Sequence, residues 1–100
     1  MVDDDTPFTV HRSAGLLVLR GSIDEDRAAE LLSLLLDALA EGPLTVDLSD
    51  VDYLPSVALS SLIAAWHADG VHPMTLQARA GSISQRVLSI TALPYDELPA

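Results

Sequence analysis

The chain has no cysteine, no lysine, only four aromatic residues and no apolar run long enough to span a bilayer. Each absence excludes something. Without cysteine there is neither a disulfide framework nor a thiolate metal site, and a reducing compartment is permitted. Without lysine, five arginines face fifteen acids and the formal net charge is −10. The basic face that a phosphate-backbone binder requires is missing, which disfavours direct nucleic-acid binding and docking on anionic membranes. A basic protein partner is the electrostatically natural choice. A membrane span needs ~18 consecutive apolar residues. The opening Met1-Val2-Asp3-Asp4-Asp5 is acidic where a signal peptide is basic and then apolar. The expectation is a soluble cytoplasmic protein with no membrane insertion. With so few aromatics, Leu, Val, Ile and Ala must fill the interior, and at 49% apolar content a chain of 100 residues suffices for one core.

The acidity is uneven. Residues 1–50 carry eleven acids and three arginines, net −8, and residues 51–100 carry four acids and two arginines, net −2. Residues 1–6 read as an acidic disordered tail, 7–94 as a single domain and 95–100 as an irregular C-terminal tail containing proline.

Hydrophobic periodicity orders the domain. Phe8-Thr9-Val10-His11 alternates like a short strand, Ser13-Ala14-Gly15 is a turn, and Leu16 to Arg20 is a second strand, apolar enough for a central place. A helix is predicted over 24–41, with Ala28, Leu31, Leu32, Leu35 and Leu39 on one stripe. Asp24, Glu25 and Asp26 sit in its favourable first turn, and Gly42-Pro43 provides a left-handed stop. Leu44, Val46 and Leu48 alternate as a third strand, a loop covers 49–55, and a second helix runs over 57–69 with Leu59, Leu62, Ile63 and Trp66 facing the core and Gly70 closing it. Met74 to Ala78 is a fourth strand. Ser82-Ile83-Ser84-Gln85 matches a capping box that opens a third helix bearing Ile83, Val87 and Ile90. The order β-β-α-β-α-β-α predicts an α/β fold: a mixed sheet with amphipathic helices packed on one face.

Catalytic and metal signatures are missing. There is no phosphate-binding glycine loop and no G-x-S-x-G elbow. His67 and His72 lie five apart without a third ligand, so they read as surface histidines and no metal or cofactor is expected. Asp47, Asp50 and Asp52 have neither calcium-loop spacing nor a partner that would separate their pKa values. A carboxylate-assisted hydrolase built on Asp47 and Asp50 would lack a nucleophile–base pair, so no catalytic residue is assigned. Trp66 reads as core packing.

Ser56 is the residue of interest. It stands where the polar turn meets the second helix, beside backbone N–H groups that favour negative charge. Two readings fit that position: a capping serine, or a phosphoacceptor whose charge reports a regulatory state. Ser60 and Ser61 are neighbouring hydroxyls on the helix body.

Three blocks carry a resemblance. Gly21-Ser22-Ile23-Asp24 is similar to the G-E-[IL]-D start of helix one in STAS domains. Val46-Asp47-Leu48-Ser49-Asp50-Val51 resembles their hydrophobic-D-L-S-x-V strand, and Leu54-Pro55-Ser56-Val57-Ala58-Leu59 takes the place of [IVM]-D-S-x-G-L. The spacing between blocks also fits, over about residues 8–93. Single-domain bacterial members are largely anti-sigma factor antagonists: they bind an anti-sigma factor that is often also a serine kinase, and phosphorylation at the start of helix two breaks the complex. The resemblance implies a non-catalytic regulatory domain of that type, with Ser56 as phosphoacceptor and Asp24, Tyr53, Leu54, Pro55, Ser56, Val57 and Ser60 as the partner surface. The chain departs from the pattern at Pro55, where the family has an acid, and at Ala58, where it has glycine. A binding variant that is never phosphorylated therefore stays open.

A second branch of the same family is the small STAS subunit of Mla-type phospholipid ABC transporters, which docks on and stabilises the ATPase subunit. The tail Leu93-Pro94-Tyr95-Asp96-Glu97-Leu98-Pro99 resembles that group. The open sheet face or an edge strand would also allow a weak homodimer.

Overall fold

A computed structural model describes residues 8–68, 72–91 and 93–99. The acidic segment 1–6 and the expected Gly70 stop lie outside the described residues. Five strands form one sheet in the order β1-β2-β3-β4-β5: β1 (Thr9–Ser13), β2 (Leu16–Ser22), β3 (Leu44–Tyr53), β4 (Met74–Arg79) and β5 (Asp96–Leu98). Strands β1 and β2 form the expected antiparallel hairpin, joined by Ala14-Gly15, where Gly15 takes φ +73°. All later pairings are parallel. The three helices, α1 (Ala28–Glu41), α2 (Ser56–Trp66) and α3 (Ile83–Thr91), fill the crossovers β2-α1-β3, β3-α2-β4 and β4-α3-β5. Successive right-handed crossovers toward the same sheet edge place them on one face, and the side chains agree. Leu17 and Leu19, Leu44, Val46 and Leu48, and Met74, Leu76 and Ala78 are buried on that face, while Thr45, Thr75 and their neighbours alternate outward.

Helix α1 carries the predicted stripe: Ala28, Leu31, Leu35 and Leu39 are buried and Leu32 is half-buried. Its first turn is 3₁₀, over Glu25–Arg27. Gly42 does not provide the left-handed stop; it leaves the helix in an extended conformation, φ 159° and ψ 179°, directly before Pro43. His72 works here, its ring Nδ1 lying 2.8 Å from the Leu39 carbonyl, where it closes part of the helix C-terminus.

Four elements depart from the sequence reading. The expected loop 49–55 is mostly strand, because β3 runs on to Tyr53 through two bulges opposite β2. At the first, Leu48 and Ser49 both face inward opposite Leu19, and Asp47 Oδ1 accepts the Ser49 N–H at 2.9 Å. A carboxylate thus covers a backbone donor that the ladder leaves unpaired. Helix α2 buries Ala58, Ser61, Leu62 and Ala65, with Leu59 and Trp66 half-buried and Ile63 exposed at its surface. Small residues let α2 approach α1 closely, and on a helix apolar nearly all round the largest side chains do not mark the inner face. In α3 the inner residues are Ser84 and Leu88, not the predicted stripe; Ile83 and Ile90 point to solvent at 49% and 79% exposure. Half of the capping box forms: Ser82 Oγ accepts the Gln85 N–H at 3.1 Å, but the Gln85 amide turns to Gly81 N–H and to Tyr95. Finally, the tail expected to be irregular contains β5, which pairs with β4 through Ala78↔Glu97, and Ala80 N–H reaches Leu98 O at 2.8 Å.

Candidate functional site

The second bulge of β3, near Asp52, delivers the chain to the surface where β2 ends. Gly21 holds φ +88° opposite Val51, a left-handed value that a β-carbon would resist. The Ile23 N–H then donates to Tyr53 O at 3.1 Å and ties the ends of β2 and β3 together. This bond brings Asp24 and the acidic first turn beside Tyr53. The tyrosine hydroxyl donates to Glu25 Oε2 at 3.1 Å. That hydrogen bond, reinforced by the negative charges of Glu25 and Asp24, raises the Tyr53 pKa above its ordinary value of 10.0.

From Tyr53 the chain turns at Leu54 and Pro55 into α2. Pro55, with φ −74° and ψ 169°, is the cap residue, and Ser56 is the first residue of the helix. The capping reading of Ser56 therefore fails: no side chain caps α2, and the first helical bond runs from Leu59 N–H to Pro55 O at 3.0 Å. Ser56 is exposed at the positive end of the helix, and its hydroxyl bonds to none of the described residues. Tyr53 and Val57 flank it at 46% and 43% exposure, Pro55 is half-buried, and Ser60 is exposed one turn on.

The structure thus brings Asp24, Tyr53, Pro55, Ser56, Val57 and Ser60 to one end of the domain. Leu54 departs from the expectation. At 6% exposure it belongs to the core, because the strand alternation that turns Tyr53 outward turns its successor inward. Two residues of this region were missed in the sequence. Glu25 holds the tyrosine from 28 positions away, a pairing no local pattern announces. Ser61, set beside Ser60 as a simple neighbour, is buried and donates to the Ala28 carbonyl at 2.8 Å, fastening α2 to the start of α1.

The carboxylates Asp47 and Asp50 are structural. Asp47 covers the bulge, and Asp50 bridges Arg20 at 3.6 Å and Arg79 at 3.2 Å across the sheet. Among the described residues no group of three His, Asp or Glu side chains could hold a metal ion, and no helix is long and apolar enough to cross a membrane. A cleft lined by Arg12, Gly15, Glu41 and Pro43 is bridged by the Arg12–Glu41 ion pair at 2.9 Å and involves none of the residues around Ser56.

Three comparisons bear on this geometry. A family model described as "Mlab, STAS domain" matches residues 8–82. No curated protein is matched by the sequence. Among solved structures, the chain is similar to an anti-sigma factor antagonist from Mycobacterium paratuberculosis, with a TM-score of 0.70 and 26% identity over 100% of this chain and 92% of that one.

Proposed function

Because the chain belongs to the STAS-domain family, we propose that it is an anti-sigma factor antagonist: a non-catalytic cytoplasmic domain that binds an anti-sigma factor and is released when Ser56 is phosphorylated. The observation that carries this reading is the uncapped, exposed Ser56 hydroxyl between exposed Tyr53 and Val57. Similarity to a solved anti-sigma factor antagonist over the whole chain supports the same reading. The partner surface consists of Asp24, Tyr53, Pro55, Ser56, Val57 and Ser60.

Phosphorylation adds about −1.5 to −2 charges near neutral pH. At the first residue of α2 the new oxygens lie near free backbone N–H groups, so the fold tolerates them. A partner packed against Pro55 and Val57 does not, since it must desolvate the phosphate beside Asp24 and Glu25. Loss of a close polar contact of this kind costs roughly 2–5 kcal/mol, about 30-fold or more in affinity. Pro55 in place of the family's acid changes what a kinase meets here, so the kinase is one that reads an apolar residue before the acceptor.

Ser56→Asp and Ser56→Ala test the proposal. Ser56→Asp keeps the native circular dichroism and weakens the cognate complex, while Ser56→Ala binds like wild type and takes no phosphate from the partner kinase. Equal binding by all three proteins would end the switch reading. A second reading, the ATPase-docking subunit of an Mla-type transporter, is favoured by the family description and by the tail, whose Asp96–Leu98 segment is an ordered strand. In that case affinity purification recovers a transporter ATPase with its permease, and intact mass shows no phosphate on Ser56.

A further inference from the structure

The end of the domain opposite Ser56 carries the β1–β2 hairpin turn, the last turn of α1 and the start of β3, and a cleft of about 390 Å³ opens between them. Ala14, Ala38, Pro43 and Leu44 supply its apolar walls, and Arg12 and Glu41 supply its charges. That volume falls within the range of small-ligand sites, roughly 300–1,000 Å³. A β-carbon on Gly42 would meet no atom within 4 Å, so the chain leaves room beside the helix end.

The two charges are placed in a particular way. Arg12 lies opposite Leu17 in the hairpin register, and partners in an antiparallel pair share a face, so Arg12 projects to the side of the sheet that the helices cover. Glu41 is the last residue of α1, where the helix dipole opposes a negative charge, and the last turn holds no basic residue to offset it. Proteins keep local conflicts of this kind chiefly at functional sites. The position calls for a cation, and in the free protein Arg12 provides it across 2.9 Å. The two side chains are 39% and 72% exposed. A pair so open to water is worth little, and exchanging either half for another ion loses little.

We propose that this cleft binds a small zwitterion, an α-amino acid with an apolar side chain. The ligand carboxylate accepts from the Arg12 guanidinium, the ligand ammonium donates to Glu41 and the carbonyl end of α1, and the side chain lies against Ala38, Pro43 and Leu44. Both halves of the ion pair then keep a counter-charge. A simple anion would strip Glu41 of its cation, and a simple amine would face Arg12 with nothing to satisfy it. The site rejects each by the charge left over. A ligand of zero net charge also escapes the repulsion that a chain of −10 exerts on anions. The cleft shares no residue with the surface around Ser56, so the ligand binds whether or not that serine is modified.

Titration of the isotope-labelled whole chain with L-leucine, followed by amide NMR, tests this. Saturable shifts appear at Ala14, Gly15, Gly42 and Leu44 with a dissociation constant of about 1 mM, and the melting temperature rises with leucine concentration. Isocaproate, which lacks the amine, and isoamylamine, which lacks the carboxylate, bind at least about tenfold more weakly. Arg12→Gln and Glu41→Gln melt like the wild type without ligand, because the pair is exposed, and each weakens leucine binding by at least about tenfold. The absence of saturable shifts up to about 20 mM leucine overturns the proposal. So do analogues that bind as tightly as leucine, shifts confined to residues outside the cleft, or leucine binding that both variants leave intact.

Discussion

Two buried serines provide a matched test of how polar groups act inside this domain. Ser61 in α2 and Ser84 in α3 are 7% and 0% exposed. The hydroxyl of Ser61 donates to Ala28 O at 2.8 Å, with Val57 O 3.3 Å away, whereas that of Ser84 has no partner among the described residues. The chemical change Ser→Ala is the same at both positions, but the gain in helix propensity, about 0.5 kcal/mol, applies to Ser61 inside α2 and not to Ser84, the second residue of α3. The hydrogen-bond terms differ in sign. Ser61→Ala forfeits a bond with a net value of about 1 kcal/mol, which leaves a loss of about 0.5 kcal/mol. Ser84→Ala removes a hydroxyl whose desolvation nothing among the described residues offsets, for a gain of about 1 kcal/mol. For a domain of this size 1 kcal/mol moves the midpoint by about 4–8 °C. Ser84→Ala therefore melts about 4–8 °C higher than wild type and Ser61→Ala about 2–4 °C lower. Urea denaturation with unchanged m-values gives the same order. If Ser84→Ala melts below wild type, or if the two variants shift alike, then partner geometry does not decide the fate of these hydroxyls and the reasoning is wrong.

Two further outcomes follow from the packing and the site. Leu62→Asp, at 0% exposure between the helices, places a charge in the core and costs several kcal/mol, read as loss of the cooperative thermal transition; a folded, equally stable variant would refute the assignment of the α2 inner face. Glu25→Gln removes the charge and weakens the acceptor that hold the Tyr53 proton, so ultraviolet titration shows that tyrosine ionising at lower pH than in wild type, closer to 10.0. The sign for stability is fixed by the raised pKa. The folded state keeps the proton more tightly, so the contribution is complete below the ordinary tyrosine pKa and is lost as the pH climbs through the folded value; an unchanged titration in Glu25→Gln would break the Tyr53–Glu25 link.

Where one side of an element is apolar and the other polar, the sequence was legible. Helix α1, the first half of strand β3 and strand β4 have that contrast, and Leu31, Leu35, Val46 and Leu76 lie where their spacing put them. Helix α2 has little of it: Val57, Ala58, Leu59, Leu62, Ile63, Ala64 and Ala65 surround the axis, so its inner face is selected by close approach to α1. In α3 contrast exists but misleads, because the larger residues face away from the sheet. The extension of β3 was hidden by Asp47, Ser49, Asp50 and Asp52, residue types typical of turns, which here accompany two bulges. At the site, the exposure of Ser56 at the helix start was readable from local order. The inward turn of Leu54 needed the strand to continue through Tyr53, and Glu25 and Ser61 act through contacts 28 and 33 residues apart in sequence. Such distant pairings are set by tertiary packing and leave no periodic trace.

The spatial order of the strands, β1-β2-β3-β4-β5, is also their order along the chain. No strand has to be inserted between two that are already paired, so the sheet can grow outward by one neighbour at a time. Each addition closes a loop only as long as one hairpin or one crossover, which keeps the entropy of every step modest. A nascent chain emerging from the ribosome could lay down its ladder progressively, without holding an early strand exposed until a late one arrives.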